Sequence, residues 1–471
     1  MTKTLTILHT NDLHSTYSQW LRLAVEVRRR KKELEAQGRP MLLLEGGDHL
    51  DMSVVECLLT EGQVNLDMYA ELGYQATAVG NNELMRFTLD QVRAISGRST
   101  VPWVLANLRE INGATVGGMK ASVKVDLGDG LIAGVIGITD LFGDLYENYL
   151  GLKNTDTVAT VREEATRLRS EGASVIVLLS HAGMKQDQEQ LAPSLSGMVD
   201  VIVGGHSHTV LQEPITQSGV IIVQAGALGR FLGELTLELD EATGKVVGHE
   251  GKLHPIDPEG PTDVVQEEIL AHWQTVVESK LNEVLVTLDT PLSHTDLIRE
   301  LAVVMRDFYQ ADLGAMFGAT AQSGFPAGPV TVGDVYQVLQ SFVCVSKLEM
   351  KGSQLPGLLQ EARNPEITER QIFGLGIRPK GLPIGTIEFA GLTYDEVDGE
   401  FVNLRVNGEP LDPERTYSVG GGEHLSDAKA CGYPSLEGTK MTHVDDYYYV
   451  KDAYIESLRR RRDAQSRPVR R

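Results

Sequence analysis

Apolar runs of strand length recur through the first half of the chain: TLTILHTND, PMLLLEGGD, ATAVGNNE, PWVLANL, LIAGVIGITD, SVIVLLSHAG and VDVIVGGHSH. Between several of them lie longer stretches with helical periodicity, among them SQWLRLAVEVRRRKKELEAQ, a region reaching about Leu72, and VATVREEATRLRSEG. Short apolar runs separated by amphipathic helices predict an α/β architecture around a buried sheet. GVIIVQAG and LGELTLELDEATGKVVGHEGKLHPI read as antiparallel strands closing this region, and RRRKK at 28–32 reads as the solvent face of a helix.

The pattern changes at PIDPEGPTD, where Asp263 is placed to cap a long helix, VVQEEILAHWQTVVESKLNEV. This divides the chain into a domain at 1–258, a connecting helix at 259–283, a second domain at 284–458 and a basic tail at 459–471. The second domain opens with helix-like TDLIRELAVVMRDFYQAD and later turns strand-rich. The tail, SLRRRRDAQSRPVRR, reads as a solvated terminus.

Composition narrows the chemistry. With 471 residues there is ample length for two or three domains, and 42% hydrophobic and 23% charged residues are ordinary for a globular protein. A formal charge of −22 argues against nucleic acid as a partner, so a phosphate-bearing substrate needs positive charge supplied locally. Cys57, Cys344 and Cys431 are odd in number and far apart, and read as free thiols. No apolar run approaches the ~20 residues that span a bilayer, so no membrane partner is expected. The first candidate site residue comes by Asp12, which leaves no room for a signal peptide of roughly 15–30 residues; the expected location is cytoplasmic.

Five polar clusters each follow a strand-like run: HTNDLH (Asp12, His14), EGGDH (Asp48), VGNNE (Asn81, Asn82), LLSHAG (His181) and VGGHSH (His206, His208). In an open α/β sheet, loops beyond the carboxyl ends of strands converge on one crevice. Side chains of these types gathered there suit two divalent ions in mixed oxygen and nitrogen coordination, with Mn, Zn, Co and Fe all compatible. Asp-x-His on an extended segment directs both side chains to one side. A carboxylate such as Asp48 has two oxygens with which to bridge a pair of ions. Paired ions about 3.5–4 Å apart clamp a phosphoryl group and activate water at neutral pH.

Taken in order, these motifs resemble the calcineurin-like metallophosphatases, in particular the family of 5′-nucleotidases and UDP-sugar hydrolases. HTNDLHS, the GGD turn, GN, SHAG and GGHSH fit its N-terminal motifs, QAGALGRFLGELTLELD the segment closing that domain, and VNGEPLDPERTYSV the second domain. The resemblance implies a four-layer αββα sandwich followed by a smaller α+β substrate-binding domain. It also implies a hydrolase that acts on nucleotides or related small phosphoesters. Carried over by residue, Asp12, His14 and His208 hold one ion, Asp48 bridges, and Asn81, His181 and His206 hold the other.

The sequence departs from the family pattern at GNHEFD, whose His assists catalysis and whose Asp orients it. Here the matching positions are Asn82 and Met85, and GNNE resembles a signal-less subgroup called YunD-like. The family's NGGGIR, with a substrate-holding Arg, corresponds to FGATAQSGF without Arg. Of its paired base-sandwiching aromatics, Tyr433 matches one and Thr386 occupies the other's place. Asn82 is thus expected at the catalytic position, with no proton to give, and a shift toward pyrophosphate bonds or activated esters follows. The alternative is a metal-binding module that senses or binds a ligand without turnover. His49 is a second candidate donor beside Asp48, although strand alternation turns it away; His9, inside the first strand, reads as packed.

Overall fold

The computed structural model describes residues 2–85, 87–371 and 383–466. It divides into two compact units, Met1–Val277 and Glu278–Arg471.

The first unit holds two six-stranded sheets. One runs in the order Val246–Pro255, Phe231–Asp240, Thr2–Thr10, Met41–Glu45, Ala76–Ala78, Trp103–Val104. The other runs Ile215–Gln217, Val220–Val223, Val201–Gly204, Val175–His181, Ile132–Thr139, Ser122–Asp126. Alternation along the strands decides the layers. Leu5 and Ile7 point with Leu42, Leu44, Val177 and Val203 into an apolar core shared by both sheets. Leu8 and Leu43 point the other way, onto Trp20, Leu23 and Val27 of the helix Tyr17–Ala36. On the second sheet Ile136, Ile176 and Leu178 turn outward to Val161, Ala165 and Leu168 of the helix Thr157–Ser170. The result is the four-layer helix–sheet–sheet–helix sandwich.

Thr2–Thr10 pairs in parallel with Met41–Glu45, which pairs in parallel with Ala76–Ala78; Ile132–Thr139, Val175–His181 and Val201–Gly204 form a second parallel set. Parallel pairing brings their carboxyl ends to the same rim. Phe231–Asp240 and Val246–Pro255 form the closing antiparallel hairpin. Val220–Val223 does not belong to that closing set: it runs parallel to Val201–Gly204 and antiparallel to the short Ile215–Gln217. RRRKK is likewise not a purely solvent-facing run. Arg28 bonds Asp263 and Glu71, and Arg30 forms a two-pronged pair with Glu234 at 2.7 and 2.8 Å.

Asp263 does cap the long helix, accepting from Gln266 N at 3.0 Å. The helix is Val264–Leu281, and its Gln266 and Leu270 are buried in the first unit, where Gln266 accepts from Trp20 Nε1 at 3.0 Å.

The second unit is α+β. Its five-stranded sheet runs Ile387–Ala390, Leu313–Phe317, Thr416–Gly422, Cys344–Lys351, Lys440–Tyr449. The helix His294–Tyr309 buries Leu297, Ile298, Leu301 and Met305 against it. Arg459, Arg460, Arg461 and Arg462 of the basic tail fall on a helix, Val450–Ser466: Arg459 and Arg462 pair with Glu283, Arg461 with Glu300 and Arg460 with Glu456. Residues 467–471 of that tail lie outside the described residues. Cys57 and Cys431 are buried and Cys344 half-buried, and none of the three is in a disulfide. Among the described residues no helix is long and apolar enough to cross a membrane.

Candidate metal centre

The rim of the first unit is built from tight turns at strand ends, and several of its side chains sit on left-handed backbone. Asp12, His14, Asp48, His206 and His208 have φ of 53°, 47°, 55°, 69° and 54°. Non-glycine residues adopt this region at a cost and collect at functional turns. Asp12 and His14 therefore do not share a side of an extended segment, as alternation predicted. They reach one place because the chain coils after Thr10. Backbone bonds from Asp12 N to Gly47 O (2.9 Å) and His14 N to Asp48 O (3.0 Å) lock this turn to the GGD turn.

Two sets of donors result: Asp12, His14 and His208 have one donor atom each within 4.8 Å of one another, and so do Asp48, His181 and His206. Asn81 joins the second set, its Oδ1 3.0 Å from His206 Nδ1. His14 Nε2 is 3.2 Å from His208 Nε2, His208 Nε2 3.3 Å from Asp12 Oδ1, and His181 Nε2 3.3 Å from Asp48 Oδ2. Ligands bonded to a shared ion at about 2.0–2.2 Å are roughly 3.0–3.5 Å apart, so these separations fit neighbouring ligands. Asp48 Oδ2 is 4.0 Å from His14 and 3.3 Å from His181, between the two sets.

His181 supplies the sharpest test of fit. Its Nδ1 donates to the Gly46 carbonyl at 2.8 Å, while its Nε2 is fully buried without a hydrogen-bond partner and faces the carboxylates. Burial alone depresses an imidazole, yet the negative charge of Asp48 at 3.3 Å, with Asp12 behind it, lifts His181 to about 10. Burial also works against charge on Asp48, and His181 together with Asn82 N holds its carboxyl below the usual carboxylate range. A pocket with this bias demands positive charge, and the donor set fits divalent cations.

Close approach of the turns rests on glycine. A Cβ on Gly80 would stand 2.1 Å from Asp48 Oδ1. Two residues that sequence reasoning passed over set the turns in place. Asn11 Nδ2 donates to Asp12 Oδ2 at 2.6 Å and to Gly226 O, while its Oδ1 accepts from Ala225 N at 2.8 Å. Glu83, wholly buried, accepts from Asp48 N (3.0 Å), Gly80 N (2.7 Å) and Leu50 N (2.8 Å). The available signal was a Glu three residues into a helix that begins at a strand-end glycine.

Asn82 is at the rim, but its amide is engaged. Nδ2 stands 3.0 Å from His14 Nδ1 and donates to Asp48 Oδ2 at 3.2 Å, while its backbone N donates to Asp48 Oδ1 at 2.8 Å. His49 turns away from the rim: its Nδ1 is 3.2 Å from Glu83 Oε1 and its ring packs edge-on against Tyr69 and Trp103. His9 is packed in the core, pushed to about 4 by burial. In the second unit Tyr433 is buried against Phe317, with its hydroxyl donating to Gly385 O at 2.7 Å.

Residues 5–210 match the family model described as calcineurin-like phosphoesterase, and residues 284–432 that of the 5′-nucleotidase C-terminal domain. Over 431 residues the chain is 24% identical to an uncharacterized metallophosphoesterase, YunD, of Bacillus subtilis strain 168, spanning 89% of this chain and 92% of that protein. It is 24% identical over 537 residues to a 5′-nucleotidase of Vibrio cholerae serotype O1, spanning 96% and 90%. The crystal structure of a 5′-nucleotidase precursor from Thermus thermophilus shares the fold, with a TM-score of 0.55, 22% identity, and coverage of 97% of this chain and 96% of that one.

Proposed function

Because the chain belongs to the calcineurin-like metallophosphoesterase and 5′-nucleotidase superfamily, we propose that it hydrolyses nucleotides or related phosphoesters whose leaving group needs no proton. It is a metal-dependent phosphoric ester hydrolase of that type. The observation that carries the reading is the pair of acid–histidine clusters sharing one rim, with Asp48 between them.

In this reading Asp12, His14 and His208 would hold one divalent cation, Asn81, His181 and His206 would hold the other, and Asp48, lying between the two sets, would serve both. The pair, when bound, neutralises phosphoryl charge and supplies an activated water. The remaining work falls to the chain. Asn11 and Glu83 keep the carboxylates in position, and Gly46 O fixes the His181 tautomer so that Nε2 faces the site. Asn82 steadies His14 and Asp48 through its amide and has no titratable proton for a departing oxygen. Met85 offers no carboxylate to orient one.

A positioned general acid is worth roughly 10²–10⁴-fold. Its absence penalises an alkoxide leaving group, as in a nucleoside monophosphate. A departing phosphate, with a second pKa of ~6, leaves unaided at neutral pH. Pyrophosphate bonds, as in UDP-sugars or nucleoside polyphosphates, and activated esters are therefore the proposed substrates. The match to YunD over most of both chains supports placement near that relative. A cytoplasmic location is part of the proposal, as is a role for Tyr433 in shaping the substrate region of the second unit.

A substrate panel on metal-loaded protein tests this. Inorganic pyrophosphate and UDP-glucose are turned over faster than AMP; rapid AMP hydrolysis with negligible pyrophosphatase activity overturns the preference. Asn82→His combined with Met85→Asp raises AMP hydrolysis, with the ~10²–10⁴-fold of a general acid as its ceiling. Two bound ions with no turnover of any substrate support the non-catalytic binding module instead.

A further inference from the structure

One strand reaches the same rim without contributing any of the proposed ligands. Ile132–Thr139 pairs in parallel with Val175–His181, and Thr139 is in register with His181. The chain continues as Asp140, whose N donates to His181 O at 3.0 Å, and turns at once, with Phe142 N donating to Asp140 Oδ1 at 3.0 Å. Phe142 sits on left-handed backbone, φ 47°, a conformation a bulky side chain takes unwillingly. The residue is 42% exposed and its ring centroid lies 5.5 Å from that of His206, edge to face at 74°. The loop is anchored around it: Tyr146 is buried with its ring centroid 6.4 Å away, and Asn154 Nδ2 donates to Gly143 O at 2.8 Å.

A lone exposed phenylalanine on a surface is ordinary. This one combines three features: a strained turn, a tethered loop, and a ring held against a proposed ligand imidazole with much of its surface open. The turn presents the ring where a buried position would have gained more from it.

We propose that Phe142 is a specificity-determining residue, giving an apolar aromatic surface to a planar ring borne next to the phosphoryl group. This rests on the reading of the rim as a phosphoester site and deepens it. Among leaving groups that need no proton, a ring-bearing one gains contact from Phe142 and a bare phosphate does not. Aromatic pairs add modestly beyond area burial, which sets the expected preference at about 2- to 10-fold.

The test is calorimetric titration of full-length, metal-loaded protein with phenylphosphonate and methylphosphonate, neither of which is turned over. The wild-type chain binds phenylphosphonate about 2- to 10-fold more tightly. Phe142→Asn, which suits left-handed backbone, abolishes that preference, and Phe142→Tyr retains it. The inference is overturned if the wild type binds both equally, or if Phe142→Asn weakens both in proportion, as it would were the ring there to support His206. Hydrolysis of p-nitrophenyl phosphate is read separately. Its absence alongside a Phe142-dependent phenyl preference sinks the hydrolase reading and leaves the aromatic contact standing.

Discussion

Among the buried imidazoles with nitrogens that lack a hydrogen-bond partner, two make a pair for comparison, one from each unit: His181 with its Nε2, and His424 with both nitrogens. They behave oppositely. His181 is raised to about 10, whereas burial pushes His424 down to about 4. Both suffer the same desolvation, so the difference comes from neighbours. His181 has Asp48 at 3.3 Å and Asp12 at 4.0 Å; His424 has the ring of Phe317, 5.4 Å between centroids. Beside two carboxylates at the rim, the unpartnered nitrogen of His181 suits a cation site, whereas His424, against an aromatic ring, is core.

The hardest blow to this contrast is Asp48→Asn. It keeps the shape, removes the charge between the two donor sets, and is expected to turn His181 into a second His424. Three outcomes follow together: His181 drops below its ordinary value by NMR titration, at least one of two bound ions is lost by elemental analysis, and turnover falls. Metal-based charge stabilisation is worth several kcal/mol, so the fall is roughly a hundred- to a thousandfold. A His181 that stays high would mean Asp12 alone sets it, and the contrast would need another cause.

Glu83 sharpens the same comparison from behind the site. Its carboxylate gathers three backbone N–H groups from the two turns that carry Asp48 and Asn81. Glu83→Ala strands those donors in a buried place and uncouples the turns. The expected loss of stability is about 3–5 kcal/mol in denaturant unfolding. Metal affinity falls by roughly 10–100-fold in titration, as when a supporting partner of a ligand is removed. Unchanged metal affinity in a destabilised variant would show that the turns hold their shape without it.

These residues also show what a sequence displays and what it conceals. The first unit was legible because buried parallel strands are written as apolar runs, and a polar cluster after each run marks the rim. The donors announced themselves by type: Asp, Asn and His at strand ends. Glu83 and Asn11 sit in the same motifs, but their importance depends on which turn approaches which, and that is fixed by strand order. The left-handed backbone at Asp12, His14 and Asp48 was equally hidden, since only tertiary locking to the neighbouring turn offsets its cost. The direction of Val220–Val223 departs from expectation because an apolar run does not carry its partner's orientation. Arg28 and Arg30 look like surface charge until Asp263 and Glu234 arrive from more than 200 residues away.

The smallest effect separates the two histidines in solution. An unfolded imidazole titrates near 6.5, and folded His424 near 4. Between these values the unfolded chain binds a proton that the native chain refuses, so falling pH favours unfolding by up to about 1.4 kcal/mol per pH unit. The contribution is intact above pH 6.5 and is lost as pH falls toward 4. His424→Leu fills the space without polar atoms; it is expected to match the wild type at pH 7.5 and to resist acid better, seen as a smaller drop in second-unit stability between pH 7.5 and 4.5. His9, also near 4, has the same sign in the first unit. His181 has the reverse sign in metal-stripped protein. Its folded value lies above 6.5, so its contribution is full below pH 6.5 and disappears as pH climbs toward 10. If His424→Leu left the acid slope untouched, the native chain must already accommodate a charged His424, and some partner would be answering it as Asp48 answers His181.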